Sequence, residues 1–310
     1  MHRPSIDPVA SLALTVAVLA VATSGPLIAF AAAAPALAIA FWRNALAVGV
    51  LGTFSLVARR RELAAMRRRE GLFCVLAGVA LAGHFATWMP SVRLTTVAAS
   101  TALVATQPVW QGLIAVAQGR RLRLVTWVGI GVAVLGAVLA TGADFGVSAR
   151  AVAGDLLALA GAVMGAAYTA LGERARVTLS TTTYASICYG VCAVILLGVC
   201  LVAGFDLGGY PATTWLAILG LVAGAQLLGH TLFNYALRRV AATTISVLIL
   251  LEVPGAALIA WVWLGQAPRI ATLPGLALLL AGVAIVVLGG ARAGRRERAR
   301  ALAETAGALP

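Results

Sequence analysis

Ten apolar runs, most about twenty residues long, follow one another through the chain: roughly 9–31, 36–58, 71–91, 95–118, 124–142, 153–173, 183–203, 212–236, 241–265 and 271–290. A helix needs about 20 apolar residues to cross the hydrocarbon of a bilayer. Hydrophobic residues make up 62% of the chain and charged residues 11%, too few charges to coat a water-soluble domain. Ten spans and their short connections consume nearly all 310 residues. The expected fold class is an all-α integral membrane protein with ten transmembrane helices.

A second regularity organises the runs. Gly83-His84 and Gly229-His230 stand 146 positions apart. The same offset, held without a gap, pairs Arg93 with Arg239, Ser100 with Ser246, Pro108 with Pro254, Gly119 with Gly265, Arg123 with Arg269, Gly129 with Gly275 and Gly136 with Gly282. The chain is therefore expected as two five-helix repeats, 1–147 and 148–292, followed by a basic cytoplasmic tail, 293–310. Five is odd, so the second repeat enters the membrane from the opposite side. Inverted repeats place a substrate site near the midplane, around a pseudo-two-fold axis. A central cavity between the two repeats is the corresponding expectation.

The net charge of +13 is carried entirely by arginine, since the chain has no lysine. With ten spans, one side receives Arg3, then Arg59, Arg60, Arg61, Arg67, Arg68 and Arg69, then Arg120, Arg121 and Arg123, then Arg174, Arg176, Arg238 and Arg239, and finally the tail. The other side keeps only Arg93, Arg150 and Arg269, while Arg43 lies inside a span. The positive-inside rule makes the arginine-rich side cytoplasmic, with both termini there, in a cell membrane. No aromatic-interleaved basic surface accompanies the charge, which argues against nucleic acid as a partner. The first run exceeds the 7–15 residues of a signal-peptide core and reads as a retained helix. Cys74, Cys188, Cys192 and Cys200 fall inside spans without metal-ligand spacing and read as small buried hydrophobes. Glycines seven apart, Gly129 and Gly136, then Gly275, Gly282 and Gly289, put a small-residue stripe on the fifth and tenth spans. Such stripes let helices approach closely. Packing within one subunit is the plainer reading and a dimer seam the other, so monomer or homodimer stays open.

These features, with Phe41-Trp42-Arg43 in the second span and Leu251-Glu252-Val253-Pro254 followed by Leu264-Gly265 in the ninth, resemble the drug/metabolite transporter superfamily, closest to its ten-helix metabolite-exporter (EamA-like) branch. The resemblance covers essentially the whole chain. It implies export or exchange of small organic metabolites without naming one. The chain departs from the family where a Glu often follows the Leu-Gly pair, since Gln266 stands there, and Gln118-Gly119-Arg120 in the first repeat.

Ionisable residues at membrane depth cost roughly 2.5–3.5 kcal/mol on insertion scales, so they normally face protein or a wet cavity. Glu252 is the clearest, two residues before Pro254, which frees the Leu250 carbonyl. Pro108 does the same in the fourth span, and Gly25-Pro26 is expected to break the first. His84 and His230 occupy equivalent positions, and histidine titrates near neutrality. Gln226, His230 and Asn234 stand four apart on one expected face of the eighth span. His84 and Trp88 share a face of the third span, Gln107 and Gln111 of the fourth, and Tyr168 on the sixth reaches a similar depth. These side chains either converge on one cavity or hydrogen-bond between helices as packing glue. Arg43 either snorkels to the interface, holds an anionic substrate group or pairs with Glu252. Trp110, Trp261 and Trp263 line the cavity or face lipid.

The leading functional expectation is a secondary transporter that exports or exchanges small amphipathic metabolites, such as amino acids or their derivatives, by alternating access. Its partners would be a small-molecule substrate and the lipid bilayer, with proton coupling through Glu252 or the histidines, and no cofactor. A multidrug or cationic-compound proton antiporter is the alternative, and a channel a further one. No Gly-x-x-x-x-Gly-Lys-Ser/Thr loop is present, which excludes ATP-driven transport by this chain alone. No His-Glu-x-x-His or nucleophile–base constellation supports an enzyme.

Overall fold

The computed structural model describes residues 8–95, 97–141, 148–264 and 270–289. Gly265, Gln266, Arg269 and the expected tail, 293–310, lie outside the described residues. The regular structure of the described residues is entirely helical, without a strand among them. Eight helices are long and apolar enough to cross a membrane: Pro8–Ile28, Ala36–Ala58, Arg68–Ser91, Ala149–Ala175, Thr181–Val202, Ala212–Ala236, Ala242–Trp263 and Ile270–Gly289. Two shorter apolar helices, Ala102–Ala117 and Leu124–Ala140, stand where the sequence predicts the fourth and fifth spans. The ten are called segments 1 to 10 in chain order. Their outer surfaces are apolar: Leu12, Val57, Val202 and Val262 are each more than 60% exposed. Such a surface is stable against acyl chains and not against water.

Proline explains the internal breaks. Segment 4 is split into Val97–Val104 and Gln107–Ala117, and segment 9 into Ala242–Ile249 and Glu252–Leu264, at positions that follow the 146 offset to within one residue. Pro108 and Pro254 each follow their break by two or three residues, where the missing N–H and the ring clash oppose a continuous helix. The Leu250 carbonyl is not left free, contrary to the sequence-based expectation, because Val253 N–H turns back to it at 3.1 Å. Segment 1 breaks at Thr23, three residues before Pro26. Segment 8 departs from its mate in the first repeat. Its middle, Val222–His230, is a π-helix between two α-helical stretches, whereas segment 3 runs as unbroken α-helix over Arg68–Leu94.

Contacts between the halves respect their exchange. Segment 2 packs on its mate 7, 4 on 9, and 3 packs on 6 as 1 packs on 8. Segments 5 and 10 also meet, and they run antiparallel: Gly129 faces Val286, Ala133 faces Gly282, Gly136 faces Leu279 and Ala140 faces Gly275. Antiparallel mates are what inverted repeats require. The glycine stripes therefore pack against each other within one chain.

Arginines from the connections after segments 2, 4, 6 and 8 gather on one face. Glu62 accepts the Ser180 N–H, Arg69 and Arg174 both approach the Phe73 ring, and Arg120 pairs with Glu173. Arg176, outside segment 6 and only 2% exposed, donates to the Asn234 and Leu179 carbonyls. Burial, with Arg238 nearby, lowers its pKa to about 10, so it stays charged at neutral pH.

Candidate functional site

A cavity of about 280 Å³ lies where the two repeats meet. That is near the lower end of small-molecule sites. Eight of its wall positions form four pairs related by the 146 offset: His84 with His230, Trp88 with Asn234, Val104 with Leu250 and Gln107 with Val253. Arg43, Phe85, Tyr168 and Glu252 complete much of the polar and aromatic lining.

The breaks position several of these groups. Glu252 begins the second helix of segment 9, immediately after the interruption, so its side chain leaves the helix in the first turn. Gln107 begins the second helix of segment 4 in the same way. Its Nε2 donates to Thr169 Oγ1 at 3.4 Å. Gly161 and Gly165 let segment 6 approach segment 3 closely. A Cβ at Gly165 would stand 2.9 Å from Gln107 Oε1 and 3.1 Å from His84 Nδ1.

The two histidines are held differently. His84 Nδ1 lies 2.8 Å from the Gly161 carbonyl, and its ring stacks on Trp88 with centroids 5.6 Å apart. A carbonyl only accepts, so Nδ1 carries the proton and Nε2 is left for another partner. His230 touches the Phe85 and Tyr168 rings edge-on or tilted at 6.1 Å. No hydrogen bond to its ring is present among the described residues.

Two polar networks hold the wall. Tyr168 OH donates to Asn234 Oδ1 at 3.0 Å, Asn234 Nδ2 donates to Tyr189 OH at 3.2 Å, and Tyr189 OH lies 3.2 Å from Thr231 Oγ1. Arg43 Nε donates to Gln226 Oε1 at 2.8 Å, and Gln226 Nε2 donates to Asn44 Oδ1 at 3.1 Å. The three open readings of Arg43 are thereby narrowed. It is 1% exposed and does not snorkel. It is not paired with Glu252 either, because among the described residues the ion pair within 4 Å is Arg120–Glu173.

Of the side chains singled out from the sequence, Arg43, His84, Trp88, Gln107, Tyr168, His230, Asn234 and Glu252 line the cavity. Gln226 and Gln111 do not. The π-helical stretch widens the helical turn, so Gln226 leaves the stripe expected with His230 and Asn234 and reaches segment 2 instead. Gln111 is one turn past Gln107 and is buried away from the cavity. Trp261 and Trp263 are more than half exposed on the outer surface. Trp110 donates to Thr106 Oγ1 and takes no part in the wall. Sequence reasoning missed Asn44, Phe85 and Phe233. The first two directly follow residues it had marked, Arg43 and His84.

A second hollow on the arginine-rich face is lined by Arg120, Glu173, Arg174, Val177, Leu237 and Arg238. Leu237 belongs to both walls, so it forms the floor between this hollow and the central cavity. Glu173 ties three segments together there. Its Oε2 lies 2.7 Å from Arg120 Nη2, and its Oε1 accepts from Arg120 Nη1 at 3.0 Å and from the Ala242 N–H at 3.2 Å.

The family model described as the EamA-like transporter family matches residues 9–142 and again residues 152–288. One match falls on each repeat. A solved crystal structure shares 22% identity with this chain, covers 91% of it and 98% of its own length, and superposes with a TM-score of 0.78. At that identity the likeness shows a common fold. No curated protein sequence matches the chain.

Proposed function

We propose that this chain, which belongs to the EamA-like transporter family of multi-pass membrane proteins, is a secondary carrier that exports or exchanges small amphipathic metabolites by alternating access. All ten segments are taken to span, with the arginine-rich face and both termini cytoplasmic by the positive-inside rule. The observation that carries the reading is the cavity between the repeats, where Glu252, Arg43 and two histidines face one space of metabolite size among aromatic rings. Intramembrane ionisable groups mark substrate or proton pathways. Counterflow of a radiolabelled metabolite panel in proteoliposomes tests it. Saturable exchange of at least one small amphipathic solute is expected, and conductance without exchange would instead favour a channel. Glu252 also supports the second reading, proton antiport of cationic compounds, which predicts exchange of such compounds driven by a pH gradient.

Orientation is checked by single-cysteine labelling after removal of the four native cysteines. Positions 64 and 296 should be protected from an impermeant reagent in intact cells and position 147 should react. Reaction at position 64 from outside would overturn the inverted arrangement.

The histidines should fail differently. His84→Ala removes the buried bond from Nδ1 to the Gly161 carbonyl and the stacking on Trp88, and a hydrogen bond of this kind contributes about 0.5–1.5 kcal/mol. It should therefore lower the melting temperature. His230→Ala removes no hydrogen bond and should weaken substrate affinity or coupling with stability nearly unchanged. Normal transport per folded molecule in both variants would reduce the histidines to packing.

Glu173 acts as a latch at the cytoplasmic end. A partly exposed ion pair contributes about 1 kcal/mol or less, enough to shift a two-state equilibrium roughly fivefold. Glu173→Gln should raise the reactivity of a cysteine at position 237 toward a cytoplasmic thiol reagent by about that factor. Unchanged reactivity would remove the latch from the cycle.

A further inference from the structure

Arg43 stands in the second segment with one edge and one face of its guanidinium held and a terminal nitrogen unpartnered among the described residues. Its Nε donates to Gln226 Oε1 at 2.8 Å. That amide cannot turn away, because its Nε2 donates to Asn44 Oδ1 at 3.1 Å and Asn44 Nδ2 donates in turn to the Ala40 carbonyl at 2.8 Å. The Phe85 ring lies against one face, 4.7 Å from Cζ to the ring centroid. One edge and one face are thus held, so the plane of the group is set. Of the two terminal nitrogens, Nη2 is buried and has no hydrogen-bond partner among the described residues. Trp88 Nε1, on the same cavity wall, is likewise a buried donor without an acceptor.

A buried guanidinium with an empty donor is costly, since the effective penalty of burying an unpaired ion is several kcal/mol. Among the described residues no carboxylate lies within 4 Å of it, and Glu252 shares the cavity beyond ion-pair distance. The surrounding amides hold Nε and leave Nη2 without a partner, in a side chain that lines the cavity where cargo would sit. A guanidinium held in one plane matches the two oxygens of a carboxylate better than a point charge does. The cavity is otherwise mainly apolar and aromatic, with Phe85, Trp88 and Phe233 in its wall.

We propose that the Arg43–Gln226–Asn44 triad is a carboxylate subsite, with Arg43 Nη2 as the donor the cargo completes, so that the transported solutes are small carboxylates with an apolar or aromatic body. The inference rests on the transport reading and names its substrate class. Solutes carrying only a cationic head are excluded from tight binding.

The test uses equilibrium binding to the purified full chain, followed by thermal stabilisation and tryptophan fluorescence. Two series serve as probes: leucine, 3-methylbutylamine and 4-methylpentanoic acid; and phenylalanine, 2-phenylethylamine and 3-phenylpropanoic acid. In at least one series the carboxylate-bearing members should bind saturably and the amine about tenfold or more weaker, as expected when a charged hydrogen bond is lost. R43Q should abolish that preference, and R43K should retain charge but lose about tenfold in affinity because its ammonium lacks the planar fork. Equal binding of amine and acid by the unmodified protein overturns the proposal, as does binding of no carboxylate in either series, and neither result depends on a variant folding. Saturable carboxylate binding without counterflow would sink the transport reading and leave the subsite standing. Counterflow of amines but not acids would do the reverse.

Discussion

Glu252→Gln is expected to lower net flux by about tenfold or more and to remove its dependence on pH, with the folded protein intact. Glutamine keeps nearly the same volume and removes the charge, so packing around the helix start changes little. The side chain leaves the first turn of the second helix of segment 9 and faces the cavity without an ion-pair partner within 4 Å among the described residues. It therefore has bonding capacity that the resting protein does not use. A group in that position is available to a cationic part of the cargo or to a proton during the cycle. Flux assays in proteoliposomes between about pH 5 and 8, the range in which biological proton coupling operates, decide the point. Wild-type flux across that range would reduce Glu252 to a packing role.

The largest effect on stability is expected at the seam between segments 5 and 10. A Cβ at Gly136 would stand 2.2 Å from the Leu279 backbone nitrogen, and one at Gly282 would stand 2.2 Å from that of Ala133. Backbone atoms of two packed helices cannot yield as a flexible side chain does. Even Gly136→Ala must push the helices apart, and overpacking of this kind typically costs about 1–3 kcal/mol. Gly136→Leu should prevent accumulation of folded protein. Gly131 supplies the control, since a Cβ there meets nothing within 4 Å. Gly131→Ala should be neutral or slightly stabilising, as alanine is the better helix former. Thermal unfolding in detergent separates the two glycines, and equal melting temperatures for the two alanine variants would contradict the close antiparallel packing.

Much of this architecture is legible in the sequence because bilayer physics leaves few alternatives. Apolar length marks the segments, proline marks the breaks, and the 146 offset pairs the walls of the cavity before any contact is known. The seven-residue glycine spacing points to close approach, although only the structure identifies segment 10 as the partner of segment 5. The misses have a common cause. A helical wheel assumes 3.6 residues per turn, and the π-helical stretch Val222–His230 breaks that assumption where Gln226 lies. Nothing in the local sequence announces a π-helix. The choice among snorkelling, ion pairing and cavity lining for Arg43 depends on segment 8 reaching it with Gln226, a contact 183 residues away in the chain. Gln111 obeys the wheel and still misses the cavity, since burial in a neighbouring interface is decided by packing, not periodicity.

The central claim is that one cavity between inverted repeats is exposed to the two sides of the membrane in turn. Ala256 lies on its wall and offers a small side chain for replacement. With Ala256→Cys as the sole cysteine, in sealed vesicles of known orientation, an impermeant maleimide should react from each side separately, and a transported solute should slow both reactions. Reaction from one side alone, whatever the solute or its gradient, would contradict the account, because a site that never changes the side it faces cannot carry anything across.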